Sequence, residues 1–140
     1  MNNTHSTQYK DIVDKLLSQD PFSNWMKIEI IEVYEGFCTA RCRVREDMIN
    51  GFGVTHGGII YSLADSALAF SAATGGRVAL ALNNSISYTK KARLGDTLTA
   101  RSEAINMTHR TGLFDIKVTN QASDIIAVMK GTVYRTKDVL

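Results

Sequence analysis

Gly57-Gly58-Ile59-Ile60-Tyr61-Ser62-Leu63-Ala64-Asp65-Ser66-Ala67-Leu68-Ala69-Phe70-Ser71-Ala72-Ala73-Thr74 is the stretch whose reading decides the fold. It is apolar nearly all round, the pattern of a helix buried in the middle of a domain. Gly75-Gly76 supplies a glycine stop. Between His56 and Arg77 the only charged side chain is Asp65. A buried carboxylate without a partner is costly or becomes protonated. A sequence keeps one mainly where it has a task. Immediately upstream runs Asn50-Gly51-Phe52-Gly53-Val54-Thr55-His56. The glycines that open the helix leave free backbone N–H groups facing whatever lies beyond its N-terminus. A carboxylate about two turns along a buried helix, below an N-terminus suited to an oxyanion, is a layout for acyl transfer.

Working outward, residues 9–19 place apolar side chains at Tyr9, Ile12, Val13, Leu16 and Leu17, an amphipathic helix within an N-terminal segment 1–20, and Asp20-Pro21 is expected to end it. Residues 25–34 read as a strand, Glu35-Gly36 as a turn, and 37–45 as the returning strand of a hairpin. A loop over 46–55 leads to the central helix. Only strands follow, over 77–89, 97–107, 113–121 and 125–136. Leu98, Ala100, Ser102 and Ala104 alternate with Thr97, Thr99, Arg101 and Glu103, as in an antiparallel meander with one buried face. The expected architecture is α+β: one antiparallel sheet curled around one long helix, in a single domain over 1–140. Its edge strands are left to pair with another copy, so a homodimer is the minimum expectation.

The chain has 140 residues, 44% of them hydrophobic and 21% charged, which suits one soluble domain with a substantial core. A net charge of +2, with no Lys/Arg tract interleaved with aromatics, argues against nucleic acid. Met1 to Gln8 are polar and lack the apolar run of a secretory signal. The 57–74 run holds Asp65 and three serines, so it reads as a buried helix and not a membrane span. Cys38 and Cys42 are four apart in a predicted strand, about 13 Å at ~3.3 Å per residue, too far for a disulfide. Free thiols fit a reducing cytoplasm. His5, His56 and His109 show no ligand spacing, and no metal or cofactor is expected.

Asn50-Gly51, His56-Gly57-Gly58 and Leu63-Ala64-Asp65-Ser66-Ala67 together resemble the hotdog-fold acyl-CoA thioesterases, most of all the phenylacetic-acid-degradation subgroup. Leu94-Gly95-Asp96-Thr97-Leu98-Thr99-Ala100 and Thr111-Gly112-Leu113-Phe114-Asp115-Ile116, followed by Asn120-Gln121, fit the same pattern, and the resemblance spans roughly 22–136. It implies a helix wrapped by a sheet, dimers joined into tetramers, and active sites at the dimer interface. It implies hydrolysis of an acyl-CoA thioester, often with aromatic acyl groups. By position, Asp65 is similar to the family's catalytic carboxylate. Gly57 is similar to the amide that polarises the thioester carbonyl, and Asn50 to the side chain that positions water or substrate, with His56 beside the carbonyl site. The resemblance sets Asp65 against the Asn50/Gly57 cluster of another subunit. Two departures stand out: Lys90-Lys91-Ala92 replaces a loop that commonly holds a proline, and a polar residue that assists the acid is replaced near Ala81 or Leu82. Asn83, Asn84 or Ser85 stand as substitutes.

In chemical terms, Asp65 serves as general base on water or as nucleophile, and the residues alone do not separate the two. Its structural alternative is a carboxylate held by hydrogen bonds; that of Asn50 is an ordinary turn residue. Gly57-Gly58 also suits tight helix–strand packing, and His56 suits orienting the loop. Lys90, Lys91, Arg93 and Arg110 are candidates for the three CoA phosphates. Phe52 and Tyr61 are candidates for an acyl pocket, with Gly58 beside the carbonyl. The competing functions are a hotdog hydratase or dehydratase on acyl-CoA or acyl-carrier protein, which would use His56 as base, and a non-catalytic acyl-CoA-binding module.

Overall fold

The computed structural model describes residues 3–140, with side chains from Thr7 onward. The first two residues of the expected N-terminal segment lie outside the described residues. Helix α1 spans Asn3–Ser18 and α2 Pro21–Trp25. Strands β1 (Glu29–Tyr34) and β2 (Phe37–Arg43) form a hairpin, and a short 3-10 turn covers Glu46–Met48. The central helix α3 covers Gly57–Ala73. It is followed by β3 (Arg77–Tyr88), β4 (Thr97–Met107), β5 (Thr111–Thr119) and β6 (Ile125–Val139).

All six strands form one antiparallel sheet in the order β1-β2-β4-β5-β6-β3, which wraps α3. This is the hotdog arrangement. Alternate residues of the inner face are buried against the helix, among them Cys38, Ala40, Leu98, Ala100, Phe114, Ile116, Val118 and Met129. From α3 they meet Ile60, Leu63, Ala64, Ala67 and Leu68. The helix ends at Thr74. Gly76 takes a φ of +80°, a backbone conformation glycine adopts without strain, and β3 begins one residue later. The Thr74 hydroxyl accepts the Gly36 N–H at 2.7 Å and so ties the β1–β2 turn to the helix end.

Three expectations need correction. First, Asp20-Pro21 does not only stop α1; it starts α2. The Asp20 carboxylate accepts the Ser23 N–H at 2.9 Å and Pro21 opens the helix, the usual chemistry of an N-cap and first position. Residues 25–28 are therefore not strand. Lys27, at φ +56°, turns the chain out of α2 before β1 begins at Glu29. Trp25 sits on the surface with the Arg45 guanidinium 4.8 Å above its ring. Second, several ends move: α1 begins at Asn3, β2 stops at Arg43, β5 runs Thr111–Thr119 and β6 reaches Val139. Third, α3 is not covered all round by its own chain. Gly58 and Ala69 are exposed, and Ser62 and Asp65 are half-buried. These positions form one stripe, spaced three or four apart.

That stripe lies beside β3. The strand pairs only with β6, so its other edge has no partner among the described residues. Leu80 and Leu82 of this edge strand are 58% and 62% exposed. Among the described residues no helix is long and apolar enough to cross a membrane.

Candidate active site

The first turn of α3 is held from three sides. His56 is the N-cap: its Nδ1 accepts the Gly58 N–H at 2.9 Å. That contact makes His56 an orienting group at the helix start. The His56 N–H donates to Met48 O at 2.8 Å, and the Thr55 N–H to Ala92 O at 2.9 Å. From β3, the Tyr88 hydroxyl donates to Gly57 O at 3.0 Å. Its ring lies so close that a Cβ on residue 57 would meet it at 3.3 Å. The Gly57 N–H itself has no acceptor among the described residues. It stands at the positive end of the helix dipole.

Asn50 shapes the preceding loop. Its Oδ1 accepts the Phe52 N–H at 2.9 Å and the Val54 N–H at 3.3 Å. This is the turn role of asparagine, yet only the carbonyl oxygen is consumed. The two Nδ2 hydrogens remain without a partner among the described residues. Phe52, at the loop tip, is 93% exposed.

Further along α3, Asp65 Oδ1 accepts from Asn84 Nδ2 at 2.8 Å. The same nitrogen donates to the Tyr61 hydroxyl at 3.0 Å. Burial pushes the Asp65 carboxyl above its ordinary pKa, and the Asn84 donor partly opposes this. Of the three substitutes read from the sequence, Asn84 is the one that turns toward the helix. Tyr88 was not anticipated at all. Its contact with Gly57 depends on how β3 lies along α3, and no local pattern announces it.

The basic candidates divide. Lys90 and Lys91 line a cavity of about 350 Å³ with Thr55, Gly57, Ile60 and Tyr88, beside the start of α3. Lys90 also pairs with Asp124, Nζ to Oδ2 2.7 Å. The Arg93 side chain is exposed, and its backbone N–H donates to Asp96 Oδ2 at 2.8 Å. Arg110 is elsewhere. Its carbonyl accepts the Arg135 N–H at 2.7 Å, and the Arg135 guanidinium lies against Gly75. Arg110 thus stands near the C-terminal end of α3, a helix length from Lys90 and Lys91. A larger cleft of about 880 Å³ on the outer sheet face, with Arg101, Glu103, Asp115 and Lys117 along it, takes only Ser85 from the candidates read in the sequence. Cys38 and Cys42 are buried free thiols, pushed up to about 12 and about 11 chiefly by burial, and take no part.

Within one chain the two halves of the chemistry are apart. Gly57 and Asp65 are separated by eight residues of helix, about 12 Å along its axis. A single thioester carbon cannot touch both.

Residues 52–127, more than half of the chain, match the family model of the thioesterase superfamily. The chain belongs to the thioesterase superfamily. Acyl-coenzyme A thioesterase PaaI of Escherichia coli K12 is 32% identical over 120 residues, 86% of this chain and 86% of that protein. The solved structure of the E. coli PaaI protein from the phenylacetic acid degradation operon superposes with a TM-score of 0.95 at 29% identity, covering 97% of this chain and 99% of that one. A hypothetical thioesterase of Streptococcus pneumoniae TIGR4, solved with coenzyme A, gives a TM-score of 0.84 at 25% identity, covering 90% and 98%. This thioesterase is therefore an enzyme, a thioester hydrolase on the hotdog fold.

Proposed function

We propose that this thioesterase hydrolyses acyl-CoA, with aryl-acetyl or medium-chain acyl groups preferred over acetyl, at sites shared between two subunits. The observation that carries the reading is the placement of Asp65 on the uncovered stripe of α3 and of the Gly57 N–H at the start of the same helix, beside the unpaired edge of β3. The Gly57 N–H is free, and Asp65 is held by one oxygen. They lie too far apart to meet in one chain. If two β3 edges pair antiparallel about a two-fold axis, the two α3 helices run antiparallel side by side. With the axis level with Tyr61, midway between positions 57 and 65, Gly57 of each chain faces Asp65 of the other. Pairing also covers Leu80 and Leu82. We take the homodimer as the unit and a tetramer of two dimers as the assembly.

In this site the thioester carbonyl oxygen accepts from the Gly57 N–H, and negative charge develops on it where the helix dipole favours it. Asn50 Nδ2 lies at the same end to hold the carbonyl or the water. Asp65 takes a proton from water as it attacks the carbonyl carbon, or attacks the carbon itself to give a mixed anhydride that water opens. Collapse of the oxyanion breaks the carbon–sulfur bond and releases CoA thiol and the free acid. His56, with Nδ1 engaged by Gly58, orients the helix start and is not the base. Gly58 leaves room for the acyl group, which extends toward Phe52 and Tyr61. Lys90, Lys91 and Arg93 face the CoA phosphates from the N-terminal end; Arg110 is placed to do so only from a second chain.

The test is thiol release from a panel of acyl-CoAs. Phenylacetyl-CoA and medium-chain substrates should give higher kcat/KM than acetyl-CoA. Higher efficiency with acetyl-CoA overturns the substrate class, and release from none overturns the activity.

A further inference from the structure

Asn84 is poorly explained as a structural residue. It gives one amide nitrogen to two acceptors, Asp65 Oδ1 and the Tyr61 hydroxyl, while its own carbonyl oxygen is buried with no donor to meet it. A buried acceptor left unmet destabilises a fold, and its presence needs a reason. The seat itself depends on a glycine. Asn84 lies opposite Gly131 in the β3–β6 ladder. A Cβ on residue 131 would come within 2.8 Å of Asn84 Oδ1 and 2.6 Å of a Leu68 methyl. The bare backbone of Gly131 is what lets the amide lie flat against the ladder and reach α3.

The orientation of the amide is also decided by its surroundings. Turned over, it would bury two N–H donors where nothing accepts and set a carbonyl oxygen against the Asp65 carboxylate. As it stands, only one acceptor goes unmet, and both donors are used. Tyr61 and Asp65 are four apart on one helix face. Because the Tyr61 oxygen accepts from Asn84, its own proton is left to donate. Asp65 Oδ2 has no partner among the described residues.

We propose that Asn84, seated over Gly131, is the positioning residue for Asp65: it fixes Oδ1, leaves Oδ2 toward water or thioester, and frees the Tyr61 O–H to donate into the same space. The inference rests on the proposed role of Asp65. The groups that face the carboxylate are Tyr61 from α3 and Asn84 from β3; no charged side chain shifts it. Removing the Asn84 donor removes the one interaction that favours the ionised form.

Asn84→Leu keeps the volume and deletes both the donors and the unmet acceptor. It should melt at the wild-type temperature or above. Its kcat on the best acyl-CoA should fall about tenfold or more, the scale of losing a hydrogen bond to a charged group, with KM little changed. The acid limb of its kcat–pH profile should move to higher pH. Gly131→Ala, which retains Asn84 but displaces it, should move the limb the same way. Carbon-13 titration of the Asp65 carboxyl, which needs no turnover, should show the same rise in the Asn84→Leu protein. If Asn84→Leu does not fold, Asn84→Ala carries the same readouts. An unmoved carboxyl titration and acid limb overturns the positioning role while leaving the thioesterase reading intact. A lower melting temperature with unchanged kcat does so too. A wild-type protein that releases no thiol fails the proposed function, and the carboxyl titration still decides what Asn84 does.

Discussion

Asp65→Asn separates chemistry from architecture cleanly. The amide has the size of the carboxyl, and its oxygen can still accept from Asn84 Nδ2, so α3 and β3 keep their contact. What disappears is the charge and, with it, both general-base and nucleophilic function. The expected loss in kcat is at least about 100-fold, the low end of general-base effects, or about 2.7 kcal/mol at 1.36 kcal/mol per tenfold. KM should change little, because the carboxylate acts mainly in the transition state. Stability should move the other way. Burial holds the folded pKa of Asp65 above the unfolded value, so the native state binds this proton more tightly. The stability gained from that binding is present below the unfolded pKa, near 3.8, and is lost as pH rises through the folded value. Above that range the wild type carries a charge its surroundings disfavour. The variant is neutral throughout and should melt at the same or a higher temperature, with the gap closing in acid. Thiol release and calorimetry on one preparation read both. A folded variant with a near wild-type rate would falsify the mechanism, and one that melts markedly lower with its rate retained would make Asp65 structural.

Ser71 donates to Leu68 O at 2.9 Å and lies 2.7 Å from Ser102, both side chains fully buried. Ser71→Ala leaves the Ser102 hydroxyl unmet and should cost roughly 1–3 kcal/mol in urea unfolding, more than Ser102→Ala; equal or negligible losses would contradict the pairing. Cys38 and Cys42 should not react with an aromatic disulfide reagent in the native protein and should both react in denaturant, which also keeps the thiol-release assay free of protein background.

The parts of the fold that announce themselves in sequence are those written in local pattern. The apolar run 57–74, its glycine stop and the alternation of β4 each reflect one element facing one core. The stretch 25–28 misleads for a physical reason. Met26 and Ile28 are buried while Trp25 and Lys27 are exposed, so a helix end and a turn imitate the alternation of a strand. The better signal was Asp20-Pro21, which carries the chemistry of a helix start as much as of a stop. In the site, Asp65 is legible because it is alone in an apolar run, and Gly57 because it opens that run. Asn84 was recognisable only as one of three polar neighbours. A register shift between Ala81 and Asn83 breaks the simple parity that would have picked it out, and its seat depends on Gly131, far away in sequence. Arg110 stands apart from Lys90 and Lys91 in the fold, a separation that basic residues in loops do not show in sequence.

The central claim is that each site takes Asp65 from one chain and the Asn50/Gly57 cluster from another. Mixing two disabled variants tests it most directly. Asp65→Asn lacks the carboxylate. Asn50→Asp keeps the Oδ1 that caps the loop but loses the Nδ2 donors. Each alone should be nearly inactive. Denatured together in equal amounts and reassembled, they form mixed dimers in which one of the two sites holds both intact halves. With random assortment, thiol release should recover to about one quarter of the wild-type rate. No recovery above the separate variants, with mixed dimers shown to be present, would place the whole site within a single chain and contradict the account.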